Sequence, residues 1–413
     1  MNEIVVPSAA ATLLGGPLRP DAPALDALFD TIAAGSAQRE YERILPHEPL
    51  GLIRSAKLGA LRLPVEAGGA GASFRELFGV VLRLATADAN VAHILRNHFT
   101  FVERYARTPR NAAEEGWRRA VAEGAIVGLA NTESDAKVVG GSPFATVLRP
   151  DGDGWRISGR KYYSTGTIFS DLVLVRVATP EGGNASLILP VKREGIEIVD
   201  DWDGIGQRLT GSGTTIFNDV RVEPDEVVPD GTGVGYGTAY SSTLPQLYLT
   251  TVNAGILAAV LRDATALLKS RKHTYFFAPT PVATEDPILQ QALGEISAAA
   301  YAAEALVLAT AEALDVADAL RASGASSEEV NAAAHGAALK AARAKVIIDD
   351  LTLRSASQLF DVGGASAAHR AVNLDRHWRN ARTLASHNPR SYKARLLGLH
   401  AIDGTPLPPS SFF

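Results

Sequence analysis

Three histidines stand where the sequence could support proton transfer: His93, His98 and His387. A histidine titrates near neutrality, so its ring can donate to an oxygen atom or accept from one during a reaction. His93 and His98 are five residues apart on a predicted helix, so they point in different directions. His387 precedes an Asn-Pro pair and could equally cap the end of a helix. The residue types alone leave catalytic and structural roles open for His93 and His387, and His98 is expected to be structural or to support a neighbouring group.

Other chemistries lack the residues that they need. The chain has no cysteine, which excludes disulfides, thiolate nucleophiles and iron–sulfur clusters. His369 and His377 are eight residues apart without acidic neighbours, so no metal site is predicted. The glycine-rich stretch 204–213 lacks the flanking strand, helix and acidic residue of a dinucleotide-binding fingerprint. No Gly-x-Ser-x-Gly elbow supports serine hydrolysis.

Composition narrows the class of protein. Of 413 residues, 46% are hydrophobic and 21% are charged, which is typical of a globular protein with a large core. The net charge of −5 argues against a nucleic-acid or anionic-membrane surface. We find no secretory signal at the N-terminus and no uncharged apolar run of membrane-spanning length. A cytoplasmic location is therefore expected.

The pattern of apolar residues changes twice, which predicts domains at 1–122, 123–233 and 234–413. In the first zone, Ser73 and Glu76 form a capping-box pattern ahead of an apolar helical face, and a second helix is predicted through 92–102. In the second zone the period becomes two, with frequent turn residues, which favours a small antiparallel barrel or sandwich.

The third zone is helical again. Asp286-Pro287 and the Ser326–Glu329 capping box begin two long helices. Alanine occupies many positions in the second of these helices, which permits close packing in a bundle that also buries a subunit interface.

Four segments in register carry a family resemblance: 63–71 (LPVEAGGAG), 129–135 (LANTESD), 159–166 (GRKYYSTG) and 206–215 (GQRLTGSGTT). Together they resemble the acyl-CoA dehydrogenase superfamily. The resemblance implies an α+β multidomain fold with an N-terminal α-helical domain, a central β-barrel and a C-terminal four-helix bundle. It also implies a flavin between barrel and bundle, and a homotetramer.

Three further segments, 92–98, 200–208 and 374–393, resemble the flavin-dependent monooxygenase branch of the dibenzothiophene monooxygenase type. That branch uses FMN as FMNH2, delivered by a separate NAD(P)H:flavin reductase, and O2 as co-substrate. The implied reaction transfers one oxygen atom from a C4a-(hydro)peroxyflavin to a small organosulfur, nitrogen or aromatic substrate. The substrate pocket is expected near 135–145 and 238–250.

The resemblance assigns roles to individual residues. His387 would manage the proton of oxygen transfer, with His93 assisting. Asn131 and Thr165 would hydrogen-bond the flavin ring, and Trp202 would lie beside it. The alternatives are a turn after a strand for Asn131 and an ordinary corner aromatic for Trp202.

A second set of residues is implied at the cofactor phosphate. Arg271 occupies the zone where family members place a phosphate-binding arginine, often from the neighbouring subunit. Gly363, Gly364 and Ser366 occupy a segment that approaches the flavin of the partner subunit, with Ser366 where the related monooxygenase has arginine. A plain helix end remains the alternative for the glycines.

Two departures bear on the reaction. Asn388 stands at or beside the position where most acyl-CoA dehydrogenases carry their glutamate base, and an amide cannot act as a base. Asn97 replaces a tyrosine of the monooxygenase branch and makes the substrate pocket more polar. A FAD-dependent acyl-CoA dehydrogenase with an unlocated base and a flavin-free binding homologue remain the alternatives.

Overall fold

The computed structural model describes residues 17–133, 144–231 and 238–409, and the first of these ranges is mainly helical. Its helices are α1 Pro23–Ala34, α2 Ser36–Glu42, α3 His47–Ser55, α4 Phe74–Ala87, α5 Ala89–Ile94, α6 Arg96–Phe101 and α7 Ala112–Ala122. The predicted capping box begins α4: the Ser73 hydroxyl accepts from the Glu76 N–H, and the Glu76 carboxylate accepts from the Ser73 N–H.

The single helix predicted through 92–102 is two helices. Asp88 caps α5 by accepting from two backbone N–H groups, and α5 ends at Ile94. A new helix, α6, begins at Arg96 and continues into a π-helical turn over Val102–Ala106. No Gly or Pro marks this break in the sequence, so local propensity does not predict it.

The strands form two four-stranded sheets. They are β1 Val127–Ala130, β2 Arg149–Asp151, β3 Gly154–Lys161, β4 Leu172–Ala178, β5 Asn184–Pro190, β6 Ile196–Ile198, β7 Thr215–Val222 and β8 Val227–Pro229. One sheet has the order β1-β4-β5-β8 and the other has the order β2-β3-β7-β6. Alternate side chains of β4, including Val173 and Val175, pack with Phe217 and Val220 of β7 in one core between the sheets.

Of the small antiparallel barrel or sandwich that the sequence pattern favoured, the described residues show the open, sandwich-like form, and the β-barrel of the resemblance is not confirmed. Over the described residues the two sheets share a core as a sandwich does, but they do not close on each other. The strand β1 also pairs with β4 in parallel, from Val127 opposite Leu172 to Ala130 opposite Val175. The outer strands β2, β6 and β8 are only three residues long, which is too short for a continuous closed ladder.

The C-terminal part is a helical bundle. Its helices are α8 Thr243–Ser270, α9 Pro287–Ala322, α10 Ser327–Gly363, α11 Arg376–Ser386 and α12 Arg390–Asp403. Both predicted helix starts are confirmed, since Asp286 accepts from the Ile288 N–H and Ser326 forms its capping box with Glu329. The central helix α8 is surrounded by α4, α9, α10 and α11.

Two bundle helices, α8 and α9, are long and apolar enough to cross a membrane by length and composition. They differ in burial, because most of α8 lies inside the bundle and most of α9 does not. Ile288, Tyr301 and Val316 of α9 are all exposed. The helix α8 is thus a core helix, whereas α9 leaves several apolar residues exposed.

Candidate functional site

Two of the predicted catalytic histidines lie close together, although they are almost 300 residues apart in the chain. His93 is on α5, and His387 follows the last residue of α11. His93 and Arg96 are both near enough to His387 to act on its titration, and Arg96 also acts on that of His93. The fold therefore brings the N-terminal helices and the bundle together at this pair.

His387 combines an exposed side chain with strong desolvation, from which we infer a cleft. Its side chain is exposed to solvent, yet desolvation by the many protein atoms around it lowers its pKa well below the usual histidine value. Both observations hold when a ring lines a concave surface. The positive charges of Arg96 and Lys345 lower the pKa further, and His93 adds to this effect when it is protonated. His387 is therefore neutral at neutral pH, with one ring N–H donor and one acceptor.

His93 is buried and held by one strong contact. Its Nδ1 lies 3.0 Å from the side-chain Oε1 of Gln207. Burial lowers its pKa to about 3, the positive charge of Arg96 adds to this effect, and the Gln207 contact opposes it. Like His387, His93 is neutral at neutral pH.

Gln207 itself is fixed from three sides. Its backbone N–H donates to the Asn380 side-chain oxygen of α11 at 2.6 Å. Its carbonyl accepts from the Trp202 indole N–H at 2.8 Å and from the Thr210 hydroxyl at 2.9 Å. The preceding residue, Gly206, allows this close approach, because a Cβ there would lie 2.0 Å from the Arg379 carbonyl oxygen.

The predicted ring-contacting residues and the predicted pocket residue Asn97 lie on α6 and on segments that flank the sheets. Asn97 of α6 is buried and donates to the Thr165 carbonyl at 3.1 Å. The Thr165 hydroxyl lies 2.7 Å from the Ser212 hydroxyl. Trp202 is half-buried, with its ring edge-on to that of the exposed Tyr163 at 5.8 Å between centroids. Asn131 follows β1 directly and is half-buried.

Part of the expected pocket cannot be placed. Of the stretch 135–145, residues 135–143 lie outside the described residues. The stretch 238–250 includes the start of α8, where the Tyr248 hydroxyl donates to the Ala92 carbonyl, next to His93. That contact joins the bundle to the helix that carries His93.

Two buried polar atoms near these residues have no protein partner. They are the Nε2 of Gln207 and the hydroxyl of Ser164, which precedes Thr165. Buried polar atoms are normally paired, so an orphan of this kind indicates a place for a ligand atom. The pyrimidine edge of a flavin presents carbonyl oxygens and N–H groups, which suit these atoms. The residues present fit a flavin ring.

The predicted phosphate-binding residues form a second group. Arg271 follows the end of α8 and donates to the Val362 carbonyl at 2.7 Å. Gly363 ends α10, and a Cβ there would lie 2.3 Å from the Leu267 side chain. Gly364 has a positive φ of 61°, and Ser366 is exposed in the following 3-10 turn. An arginine fork beside exposed backbone is a suitable phosphate contact.

The two groups lie far apart within one chain. Arg96, beside His93 and His387, donates to the carbonyl of Pro245 in the first turn of α8. Arg271 lies 26 residues further along the same helix, a distance of about 39 Å at the rise of an α-helix. This separation exceeds the length of one FMN molecule. One chain therefore does not bring all the predicted cofactor residues to one place.

Sequence reasoning missed Gln207, Arg96 and Lys345. Gln207 lies in the segment 206–215 that carried the resemblance, but its contact with His93 joins residues 114 positions apart. Lys345 comes from α10 and is paired with Asp349 at 2.7 Å. No spacing rule connects such distant positions.

A dehydrogenase base is not evident among the described residues around His387. Asn388 has a positive φ of 63° in the link between α11 and α12. The buried carboxylate of Asp349 is held by Lys345 on one oxygen and by the Asn253 amide on the other, each at 2.7 Å. Within ranges 17–133, 144–231 and 238–409, no three His, Asp or Glu side chains cluster as metal ligands do.

Comparisons with known proteins agree with this geometry. Residues 247–391 match the family "Acyl-CoA dehydrogenase, C-terminal domain". A dibenzothiophene monooxygenase of Rhodococcus qingshengii is 30% identical over 393 residues, covering 91% of this chain and 89% of the relative. The probable FMNH2-dependent monooxygenase SfnC of Pseudomonas putida is 29% identical over 402 residues, covering 94% and 97%.

A solved structure is also similar. TdsC from Paenibacillus sp. A11-2, in complex with FMN and indole, superposes with a TM-score of 0.83 at 27% identity, covering 94% of this chain and 98% of that one. The sequence and the fold agree over nearly the whole chain, and the expected branch is confirmed. The chain belongs to the dibenzothiophene monooxygenase family, flavin-dependent monooxygenases with the acyl-CoA dehydrogenase fold.

Proposed function

We propose that this protein is the oxygenase of a two-component system that uses FMNH2 and O2 to oxygenate a small organosulfur, nitrogen or aromatic compound. The observation that carries the proposal is the neutral His387 in an open cleft beside the His93–Gln207 pair. The similarity to an FMNH2-dependent monooxygenase and to FMN-bound TdsC supports the same cofactor here. A flavin reductase would supply the reduced FMN, and a cytoplasmic location fits that partnership.

When bound, reduced FMN supplies the electrons that activate O2 for oxygen transfer. Asn131, Thr165 and Trp202 would hold the ring, with the unpartnered atoms of Gln207 and Ser164 available to its polar edge. Arg271 and the Gly363–Ser366 segment would hold the phosphate.

His387 is suited to move one proton in either direction. Its neutral ring has a lone pair that accepts a proton and an N–H that donates one. The neighbouring Arg96 and Lys345 disfavour a lasting imidazolium, so a proton taken up by His387 is readily released again. His93, also neutral, extends the hydrogen-bonding surface of the same cleft.

We infer further that each complete site combines residues of two subunits of a homotetramer. Arg271 lies about 39 Å along α8 from Pro245, the residue that Arg96 contacts beside His93 and His387, which is more than one FMN can span. The exposed apolar residues of α9 offer a surface for a second copy. Next to Arg271, the side chains of Tyr275, Phe276 and Phe277 are 70%, 88% and 77% exposed, as interface aromatics would be before assembly.

The function is tested by mixing the protein anaerobically with photoreduced FMN and then adding O2 in a stopped-flow spectrometer. Because the cleft would shield the reacting flavin from water, we expect the absorbance of oxidised FMN to return much later than without protein. Return at the protein-free rate would contradict the proposal. In that case, bound FAD and bleaching of its colour by an acyl-CoA would establish the dehydrogenase alternative instead.

The shared site is tested by complementation between two inactive variants. His387→Ala and Arg271→Ala chains are prepared alone and co-expressed as mixed oligomers. If the residues act across an interface, some mixed sites contain both native side chains, and the delayed FMN reoxidation returns in part. If both act within one chain, no mixed site contains both, and the mixed oligomers remain as impaired as the separate variants.

A further inference from the structure

We infer that Gln207 is a positioning residue, which fixes the proton of His93 on Nδ1 and presents an amide N–H donor to a ligand acceptor in the cleft. This inference rests on the proposed oxygenase function. Gln207 contacts His93 through Oε1 and leaves Nε2 without a partner, so its two amide atoms have separate tasks. Nothing in the sequence pattern singles it out from its neighbours.

The contact with His93 determines where the imidazole carries its hydrogen. With Oε1 of Gln207 turned toward the ring, the amide oxygen can only accept, so the 3.0 Å contact places the N–H on Nδ1 of His93. The other ring nitrogen of the neutral His93 is then an acceptor. A group bound in the cleft therefore meets a fixed lone pair rather than a mixture of tautomers.

The position of the Gln207 side chain is secured through its backbone. Three hydrogen bonds hold the peptide groups of Gln207, from Asn380, Trp202 and Thr210. The residue has a φ of 52°, a left-handed conformation that non-glycine residues rarely adopt. Strained and over-determined backbone of this kind is concentrated at functional sites.

The amide nitrogen is the second part of the inference. Gln207 is 1% exposed, and its Nε2 has no hydrogen-bond partner. A buried N–H without an acceptor is unfavourable, and a ligand oxygen or nitrogen that accepts from it removes the deficit. The Gln207 N–H is thus a donor and the second ring nitrogen of His93 an acceptor, on two residues joined by the 3.0 Å contact. The acceptor atom that Gln207 binds is either on the flavin ring or on the oxygen-bearing group that reacts there.

The test compares Gln207→Met, which removes both polar atoms, with Gln207→Glu, which keeps an acceptor for the His93 N–H. Gln291→Met, on the exposed side of α9, is the control for the substitution. The measurements are the lifetime before FMN reoxidation, its pH profile and the Kd for reduced FMN. We expect Gln207→Met to shorten the lifetime at least about tenfold, because a wrong tautomer is costly in positioned histidines.

We expect Gln207→Glu to have a longer lifetime before FMN reoxidation than Gln207→Met. The pH below which this lifetime shortens should be higher in Gln207→Glu than in the native protein. A carboxylate at this position raises the pKa of His93 from about 3, while Arg96 and the neutral His387 remain as its other neighbours. A merely structural role would lower the melting temperature of both variants and leave the pH profile of the folded protein unchanged, which would overturn the inference.

The Kd for reduced FMN identifies the acceptor. A weaker Kd in Gln207→Met places the acceptor on the flavin, and an unchanged Kd with a shortened lifetime places it on the reacting group. An unchanged lifetime and pH profile in both folded variants would refute the role. A native protein that never delays FMN reoxidation would refute the proposed function itself, so the two failures are distinguishable.

Discussion

His98 and His93 are on adjacent short helices, are both buried and have lowered pKa values, yet their surroundings differ. His98 donates from Nε2 to the Gly59 carbonyl at 3.0 Å and accepts at Nδ1 from the Val127 N–H at 3.2 Å. His93 makes one such contact, with Gln207, whose amide nitrogen is left without a partner. Both ring nitrogens of His98 are hydrogen-bonded within the protein. His93 instead contacts a glutamine whose amide nitrogen has no partner.

The difference shows that burial and pKa do not by themselves mark a functional histidine. The pKa is lowered to about 4 for His98 and to about 3 for His93, with burial as the main cause in both cases. Only the completeness of the hydrogen bonds separates them. His98 ties α6 to the turn at Gly59 and to β1, which is a structural role, whereas the cleft at His93 and His387 can still accept a ligand.

The largest effect is expected for His387, which lies beside His93 in the cleft. His387→Ala should reduce oxygenated product by about 100-fold or more, because positioned acid–base groups contribute at least that factor. The Kd for reduced FMN should remain nearly native, since other residues would hold the cofactor. Oxygen consumption should end in hydrogen peroxide, measured by a peroxidase assay beside product yield.

The exposed His369 provides the matched control for this substitution. His369→Ala should leave product yield, peroxide release and thermal stability as they are in the native protein. A native product yield in His387→Ala would remove His387 from the mechanism and leave His93 as the remaining candidate for proton transfer.

For His98, whose two ring nitrogens are both hydrogen-bonded, substitution by alanine should lower the stability of the protein. It leaves the Gly59 carbonyl and the Val127 N–H buried without partners, at a cost of about 3 kcal/mol in the free energy of unfolding. The activity of the remaining folded protein should be close to native. Denaturant unfolding at pH 7, with product yield per folded enzyme, checks both expectations.

The free energy of unfolding that is lost in His98→Ala should become smaller as the pH falls. The pKa of His98 is about 4 in the folded protein and near the ordinary histidine value when unfolded, so the unfolded chain binds the proton more readily. The stability due to His98 is present above about pH 6.5 and is lost as pH falls toward 4. The gap between native protein and His98→Ala should narrow over that window, and a constant gap would contradict the neutral buried role.

Much of the fold follows from local signals. The starts of α4, α9 and α10 are set by Ser73, Asp286 and Ser326, whose side chains satisfy the first backbone N–H groups of each helix. The break between α5 and α6 and the open pair of sheets were not predictable in this way, because packing between distant segments decides them. The domain boundaries at 1–122, 123–233 and 234–413 stay a prediction.

For the site, the sequence by itself determined the chemistry available: two histidines, a tryptophan and small polar residues, in segments typical of a flavin monooxygenase family. Residue type fixes which atoms can donate or accept. The tertiary structure alone decided that both ring nitrogens of His98 are hydrogen-bonded, that His93 contacts Gln207 and that Arg271 lies about 39 Å along α8 from Pro245. These outcomes depend on contacts between segments far apart in the chain, which no local pattern encodes.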